Sequence, residues 1–464
     1  MVIFIKVIQF FLALSILIFV HELGHFMAAK AFKVRVDKFY LFFDWGFSLL
    51  RVKRMDGKLR WRFFSKNPGP DDAWTQCENT DYGIGWFPLG GYNKIAGMID
   101  ESMDKEQMKQ PAKEWEFRSK PAWQRFIIMV AGVFMNVVLA VVVYIGLLAS
   151  NGEQYLPTSE VNKYGISVDS LAYEFGFRDG DKILSVNGEA VEDFYRIQME
   201  MILEDAKTIE VERDGQALVI TLPEDATSKM LSKQDGGFIS YRTPFLVADF
   251  SEGSVAKAAG METGDYIVGV NDIATPYYQD FVKHIKQFRD QDITVSVVRG
   301  QDTLALAMHL PEAGVVGVYL APLSEFFTLE TREYTFWQAI PRGFSKTFSE
   351  ISDYWKQLKL IFNPSTKAYE SVGGFISIGK IFPDTWQWSM FWRLTAFLSI
   401  ALAVMNILPI PALDGGHILF LLYEIITRRK PSDKFMEIAE YIGLALVLAL
   451  VLFANGNDIV KLFR

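Results

Sequence analysis

The sequence is poor in the residues that build small metal and disulfide frameworks. Its 464 residues include one cysteine, Cys77, and only five histidines. A single thiol excludes an intramolecular disulfide and any zinc finger built on cysteines. A metal site in this chain must use its histidines sparingly and borrow carboxylates. Positive charge is not in excess either. There are 47 Lys and Arg against 55 Asp and Glu, a net charge of −8, which excludes a generally basic nucleic-acid binder. Charged residues still make up 22%, too many for a chain embedded in lipid throughout. Apolar residues are abundant: 50% of the chain is hydrophobic and 14% aromatic, with 38 Phe, and mean hydropathy is +0.14. These values suit a few membrane spans joined to a substantial soluble part.

Four stretches are apolar enough to span a bilayer, at about 7–31, 126–148, 391–408 and 441–453. A span needs about 20 apolar residues, so the last two are short. The first does not read as a removable signal. His21, Glu22 and His25 interrupt its apolar region, and no small-residue cleavage site follows. Orientation follows from loop charge. Residues 30–125 hold 18 Lys and Arg, and the turn Arg428-Arg429-Lys430 is basic, so both are expected on the cytoplasmic side. Residues 151–390 hold 21 basic and 35 acidic residues and are expected to be translocated. Both termini then lie outside, and Cys77 falls on the reducing side.

The middle segment repeats itself. Gly180-Asp181-Lys182-Ile183-Leu184-Ser185-Val186-Asn187-Gly188 aligns with Gly264-Asp265-Tyr266-Ile267-Val268-Gly269-Val270-Asn271-Asp272. Each copy follows a small-residue helix pattern. Each precedes a helical stretch and then an alternating strand that ends in a turn, at Asp214-Gly215 and Arg299-Gly300. The pair resembles tandem PDZ domains, which add an extended peptide to a sheet edge. Beyond the repeat, Phe336, Ile340, Phe344, Phe348, Ile351, Trp355, Leu358 and Phe362 recur at helical spacing. That amphipathic helix is expected to lie on the outer membrane surface or to pack on the second repeat.

The chemistry concentrates in His21-Glu22-Leu23-Gly24-His25. On a helix, residues i and i+4 share a face, so both imidazoles can bind one Zn²⁺ while Glu22 sits beside it as a base. Two histidines and a glutamate in an apolar span are costly to bury and point to function. A catalytic zinc site has three protein ligands and one open position. The third ligand is expected from Asn406-Ile407-Leu408-Pro409-Ile410-Pro411-Ala412-Leu413-Asp414-Gly415-Gly416-His417, with Asp414 favoured and His417 its rival. Asn406 could bond substrate backbone or an oxyanion, or tie two helices together.

HExxH in the first span, NxxPxPxLDGGH at the third and a PDZ pair between spans two and three resemble the site-2 protease family of intramembrane zinc metalloproteases. The resemblance covers essentially the whole chain. It implies His21, His25 and Asp414 as ligands of one Zn²⁺, Glu22 as general base and Asn406 as a substrate contact. It also implies a bacterial inner-membrane enzyme of a stress response, with its site near the cytoplasmic side. Its substrates would be transmembrane segments of pre-trimmed single-span proteins, anti-sigma factors or signal-peptide remnants, and an upstream trimming protease would act before it. Residues 39–54 and Tyr82-Gly83-Ile84-Gly85-Trp86-Phe87-Pro88-Leu89-Gly90-Gly91-Tyr92 resemble the family's re-entrant β-hairpin, with Gly46, Gly90 and Gly91 implied in substrate binding. Residues 371–378 resemble a segment that lines the entry gate.

The expected architecture is a polytopic α-helical membrane protein with four transmembrane helices, a re-entrant β-hairpin and two translocated PDZ domains. Residues 1–31 carry the first span, 32–125 the cytoplasmic-side hairpin region and 126–150 the second span. The repeats occupy 151–235 and 236–322, and the amphipathic helix with the gate segment 323–387. The third span is 388–410, the LDGG segment and cytoplasmic turn 411–437, and the fourth span with its tail 438–464. Two features depart from the family pattern. Residues 67–80 read as a polar insertion with Pro68 and Pro70, and no proline follows Gly132 in the second span. Asn136 can still support the site. The rival readings are a membrane PDZ adaptor with a vestigial zinc site and a conventional metalloprotease with a surface site. The intact set of four groups argues against the first. The apolar setting of His21 to His25 argues against the second.

Overall fold

A computed structural model describes residues 2–69, 71–98, 111–233 and 237–463. The chain divides into two units. One comprises Met1–Gly152, Glu333–Leu358 and Val372–Arg464, the other Glu153–Arg332 and Lys359–Ser371.

The first unit contains four helices long and apolar enough to cross a membrane. They are α1 (Val2–Ala31), α2 (Ala122–Asn151), α5 (Trp388–Ile407) and α7 (Asp433–Leu462). All are longer than the apolar runs expected, α7 most of all, because its helix continues through polar residues at both ends. α1 packs on α2 closely enough that a β-carbon on Gly24 would lie 2.3 Å from the carbonyl oxygen of Ala131. Between the spans lie α3 (Phe336–Phe362), α4 (Phe375–Ile381) and α6 (Asp414–Thr427). α3 is the expected amphipathic helix, but it lies against spans: Gly343 meets Ile145 of α2, and Tyr354 edges onto Phe397 of α5. α4 is tied to α7, where Asp458 accepts from the Ser377 amide and hydroxyl and Asn455 accepts from the Phe375 amide.

A sheet joins α1 to α2. Its strands are β1 (Val36–Met55), β2 (Lys58–Lys66) and β3 (Asp81–Ile95). β1 bends where Phe42 and Gly46 take positive φ, a conformation that suits glycine and strains phenylalanine. The bend lets residues 38–41 pair with both 81–84 and 91–94, while 48–52 pair with 82–85 on one side and with 61–65 on the other. Across the sheet the order is therefore 91–95, the first half of β1, 81–85, the second half of β1, and β2. One buried network fixes this arrangement. Arg51, 0% exposed, bonds Asp44 and Asp81 at 3.2 Å each, Tyr40 donates to Asp81, and Tyr92 and Lys38 donate to Asp44. The polar stretch between β2 and β3 includes a one-turn helix at Ala73–Gln76 whose Trp74 is buried.

The second unit is the repeat. The first copy runs through β5 (Ile166–Val168), β6 (Lys182–Val186), β7 (Thr208–Arg213), β8 (Gln216–Thr221) and β9 (Ile239–Tyr241). The second copy runs through β10 (Phe245–Phe250), β11 (Tyr266–Val270), β12 (Ile273–Ala274), β13 (Gln291–Arg299), β14 (Asp302–Leu310) and β15 (Val318–Leu320). In each copy the last strand pairs back to the first, β9 to β5 and β15 to β10. The expected boundary at 235 and 236 lies outside the described residues. The pairing of β9 and the burial of Phe238 and Ile239 in the first core place the end of that copy after Tyr241. Outside both copies, β4 (Glu153–Tyr155) pairs with β16 (Glu330–Arg332). Phe326 and Phe327, beyond the expected end at 322, also join the first core.

The shared Gly-Asp has a physical role. Asp181 accepts from Arg213 and from the Arg178 amide, and Asp265 accepts from Arg299 and from the Glu262 amide. The Arg299 guanidinium holds the Asp265 carboxyl below the usual carboxylate range. Because this pKa is depressed on folding, its contribution to stability is present at neutral pH and fades as pH falls through the carboxylate range. Asp265→Ala should destabilise the second copy by about 2–3 kcal/mol, read by hydrogen exchange of β11 and β13. The difference between variant and parent should shrink on acidification.

Candidate metal centre

His21 and His25 lie one turn apart on α1 and face α2. Asp414 opens α6, where a carboxylate faces the positive end of the helix. The polypeptide reaches it through Leu408 to Leu413, which no regular helix can occupy because Pro409 and Pro411 lack amide donors. Ala412 has a φ of +76° there, a conformation an L-residue accepts only when its surroundings impose it. The turn is tight: a β-carbon on Gly415 would lie 1.9 Å from the Leu408 carbonyl oxygen. Arg125 of α2 pairs with Glu424 and anchors the other end of α6.

These elements bring three acceptor atoms together. Asp414 Oδ2 is 3.1 Å from His21 Nε2 and 3.3 Å from His25 Nε2, and the two Nε2 atoms are 3.2 Å apart. Oδ2 is buried and receives no well-formed hydrogen bond. Lone pairs do not converge in a buried site without a donor or cation among them. Tetrahedral ligands about 2.0–2.1 Å from zinc sit roughly 3.3 Å apart, which is the spacing found. Among the described residues this is the one group of three His, Cys, Asp or Glu whose ligand atoms gather in this way. His417, the rival third ligand, faces Glu440 of α7 at 3.7 Å instead.

α2 orients the two imidazoles. His25 Nδ1 lies 2.8 Å from the carbonyl oxygen of Ile128. A proton on Nδ1 donates to that carbonyl and leaves the Nε2 lone pair facing Asp414. His21 Nδ1 lies 3.2 Å from the Asn136 amide nitrogen, and the amide oxygen of Asn136 has no other partner. Reversing the amide lets His21 Nδ1–H donate to that oxygen, which frees its Nε2 in the same way. Ser399 of α5 in turn donates to the Asn136 carbonyl. Gly132 completes the cradle, since a β-carbon there would lie 2.3 Å from His25 Nε2 and 2.8 Å from His21 Cε1.

The remaining expected residues divide into near and far. Glu22 interacts electrostatically with His21, His25 and Asp414, and its backbone carbonyl accepts from the Asn93 side chain of β3. Asn406, near the end of α5, has its amide nitrogen 3.4 Å from His21 Nε2. Gly91 sits on the outermost stretch of the sheet, against Tyr40 of β1 and Ile18 of α1, and Gly90 meets the Phe43 ring. Gly46 lies in the bend of β1 between Trp45 and Phe47, and its carbonyl accepts from the Asn67 amide. The Ile128 carbonyl and the Gly132 cradle were not foreseen. A backbone acceptor has no sequence signal, and a glycine in a span reads equally well as ordinary helix packing.

The sequence matches the profile of Peptidase family M50 over residues 9–65 and 57–450. It is 26% identical over 473 residues to "Regulator of sigma E protease" of Haemophilus influenzae, covering 98% of both chains. Proteins provisionally named zinc metalloproteases are similar too. One from Rickettsia conorii is 26% identical over 461 residues, covering 99% of both chains. Another from Neisseria meningitidis is 27% identical over 480 residues, covering 98% of this chain and 99% of its own. With spans, buried ligand triangle and profile in agreement, the chain belongs to Peptidase family M50, the site-2 proteases, and is an intramembrane zinc metalloendopeptidase.

Proposed function

We propose that this protease cuts transmembrane segments of single-span membrane proteins that another protease has already trimmed outside the bilayer. Anti-sigma-factor-type proteins and signal-peptide remnants are the substrate class. The observation that carries the reading is the unsatisfied Asp414 Oδ2 at 3.1 and 3.3 Å from two imidazole nitrogens in a membrane-spanning unit. The name of the Haemophilus influenzae relative supports the substrate class.

In this reading His21, His25 and Asp414 hold one Zn²⁺ per chain. When bound, the ion polarises the scissile carbonyl and acidifies the attacking water. Glu22 takes the proton from that water and passes it to the leaving amine. Asn406 donates its amide to the developing oxyanion or to the substrate backbone. A transmembrane helix must unwind before its peptide bond can be reached. The outer edge of residues 91–95, paired among the described residues on one side only and bonded to Glu22 through Asn93, supports a strand-addition site for the unwound segment. Gly90 and Gly91 let this stretch pack closely on Phe43 and on Ile18 of α1, and Gly46 shapes the bend of the re-entrant hairpin.

The two copies of the second unit are PDZ domains in this reading. Among the described residues, each has a last strand, β9 or β15, with a neighbour on one side only, which supports capture of an extended peptide. They lie on the outer face of a bacterial inner membrane and keep bulky outer domains away, while the basic segments and the metal centre lie toward the cytoplasm. The charge distribution supports that orientation.

Three outcomes follow. Purified Glu22→Gln should keep about one zinc per chain and lose cleavage of a trimmed single-span substrate by roughly 10²–10⁴-fold. Equal cleavage by both proteins would remove Glu22 as the base. Gly132→Val should lower metal content per chain sharply, because its side chain enters the imidazole cradle, and metal analysis reads this without an activity assay. Deleting residues 151–322 should permit cleavage of an untrimmed substrate. Unchanged selectivity in the deletion would count against the size filter.

A further inference from the structure

We propose that Leu59, Trp61 and Phe63 of β2 dock into the membrane surface beside the spans, with Arg54, Lys58 and Arg60 meeting anionic headgroups. The inference rests on the reading of the β1–β3 sheet as a re-entrant element and extends it to a strand which that reading leaves out.

The register of the sheet carries the argument. Phe39, Tyr82, Val52 and Trp61 are partners in one row across four neighbouring strand segments, and Leu41, Ile84, Leu50 and Phe63 form the next. Residues in such a row share a face. The face begins on α1, where Phe39 contacts the rings of Phe19 and Phe26 and Tyr82 contacts Phe26. In these two rows it continues past α1 without a change in polarity, and in the next row Arg54 stands beside Leu59. Among the described residues nothing covers the far end of the face: Leu59, Trp61 and Phe63 are 62%, 56% and 65% exposed, and the Trp61 and Phe63 rings stack on each other. The opposite face of β2 does have a partner, since Arg62 pairs with Asp72 and lies over the Trp74 ring. β2 therefore presents Leu59, Trp61 and Phe63 bare on one face, while on the other Arg62 meets Asp72 and Trp74 and Lys58, Arg60 and Phe64 are exposed.

A bare apolar face continuous with one that packs along a membrane span suits lipid. Tryptophan and phenylalanine at a strand edge suit the headgroup boundary. Exposed Arg54, Lys58, Arg60 and Lys66 surround the turn and ends of β2, with Asp56 the opposing charge at the turn. That balance complements an anionic leaflet, which attracts basic residues at its surface.

The test uses the full-length chain with Cys77→Ser. Single cysteines at positions 45, 58, 60, 61 and 63 carry a nitroxide. The protein is reconstituted in phosphatidylcholine vesicles with and without phosphatidylglycerol. Collision with oxygen and with a water-soluble nickel chelate is then measured. The expected result alternates along the strand. Positions 61 and 63 should favour oxygen and exclude nickel several-fold relative to 58 and 60, and the contrast should grow with phosphatidylglycerol. If 61 and 63 match 60 while position 45 at the hairpin bend still excludes nickel, the docking proposal fails and the re-entrant reading stands. If position 45 is also nickel-accessible, both fail. Shielding of 61 and 63 from both reagents would assign the face to a protein partner and overturn the proposal. An unchanged contrast with phosphatidylglycerol would overturn the headgroup part.

Discussion

The contact between Asp414 and the two imidazoles organises the unit around it. A carboxylate and two histidines at membrane depth have little water to satisfy them, so the surrounding elements must supply every partner. α1 supplies both rings from one face. α2 supplies the Ile128 carbonyl and the Asn136 amide that fix ring orientation, and it also supplies the empty volume at Gly132. The broken segment before α6 brings the carboxylate across. Each device answers the same need: two imidazole nitrogens must face a carboxylate oxygen, an arrangement that calls for a donor or a cation among them.

The sheet serves the same centre from another side. Its bend in β1 forces two halves of one strand to share β3, and a bend of that kind needs a cross-link. Arg51 with Asp44 and Asp81 is that cross-link, and the hydroxyls of Tyr40 and Tyr92 donate to Asp81 and Asp44 beside it. Buried ion pairs are poor sources of net stability but good determinants of a unique arrangement. Here the arrangement delivers residues 91–95 to the backbone of Glu22 as an open edge. The faces of the sheet are divided accordingly. The charged network occupies one face, and the apolar rows that run from α1 to Trp61 and Phe63 occupy the other.

The second unit solves a different problem twice. Each copy closes its sheet by pairing the last strand with the first, and each pins a Gly-Asp turn with an arginine from the end of a strand. Lys283 of the second copy bonds Asp179 and the Val168 carbonyl of the first, so the copies are joined by a direct contact as well as by the chain. The repeat was visible in the sequence because these turn residues are local. The end of the first copy was not, because β9 is short and finds its partner over 70 residues earlier.

The four spans, the duplicated middle segment and the HExxH face were all legible in the sequence. Hydrophobic runs, turn residues and helical spacing are local properties that survive without knowledge of the fold. The sequence favoured Asp414 over His417, but where each side chain points is not a local property, because three residues on one helix separate them. Only the packing of α6 on α2, anchored at Arg125 and Glu424, turns one toward the histidines and the other toward Glu440. The same limit explains why α3 could be identified as amphipathic while its partners could not. Periodicity reveals that a helix has an apolar face, but which surface meets that face is set by contacts between residues distant in the chain.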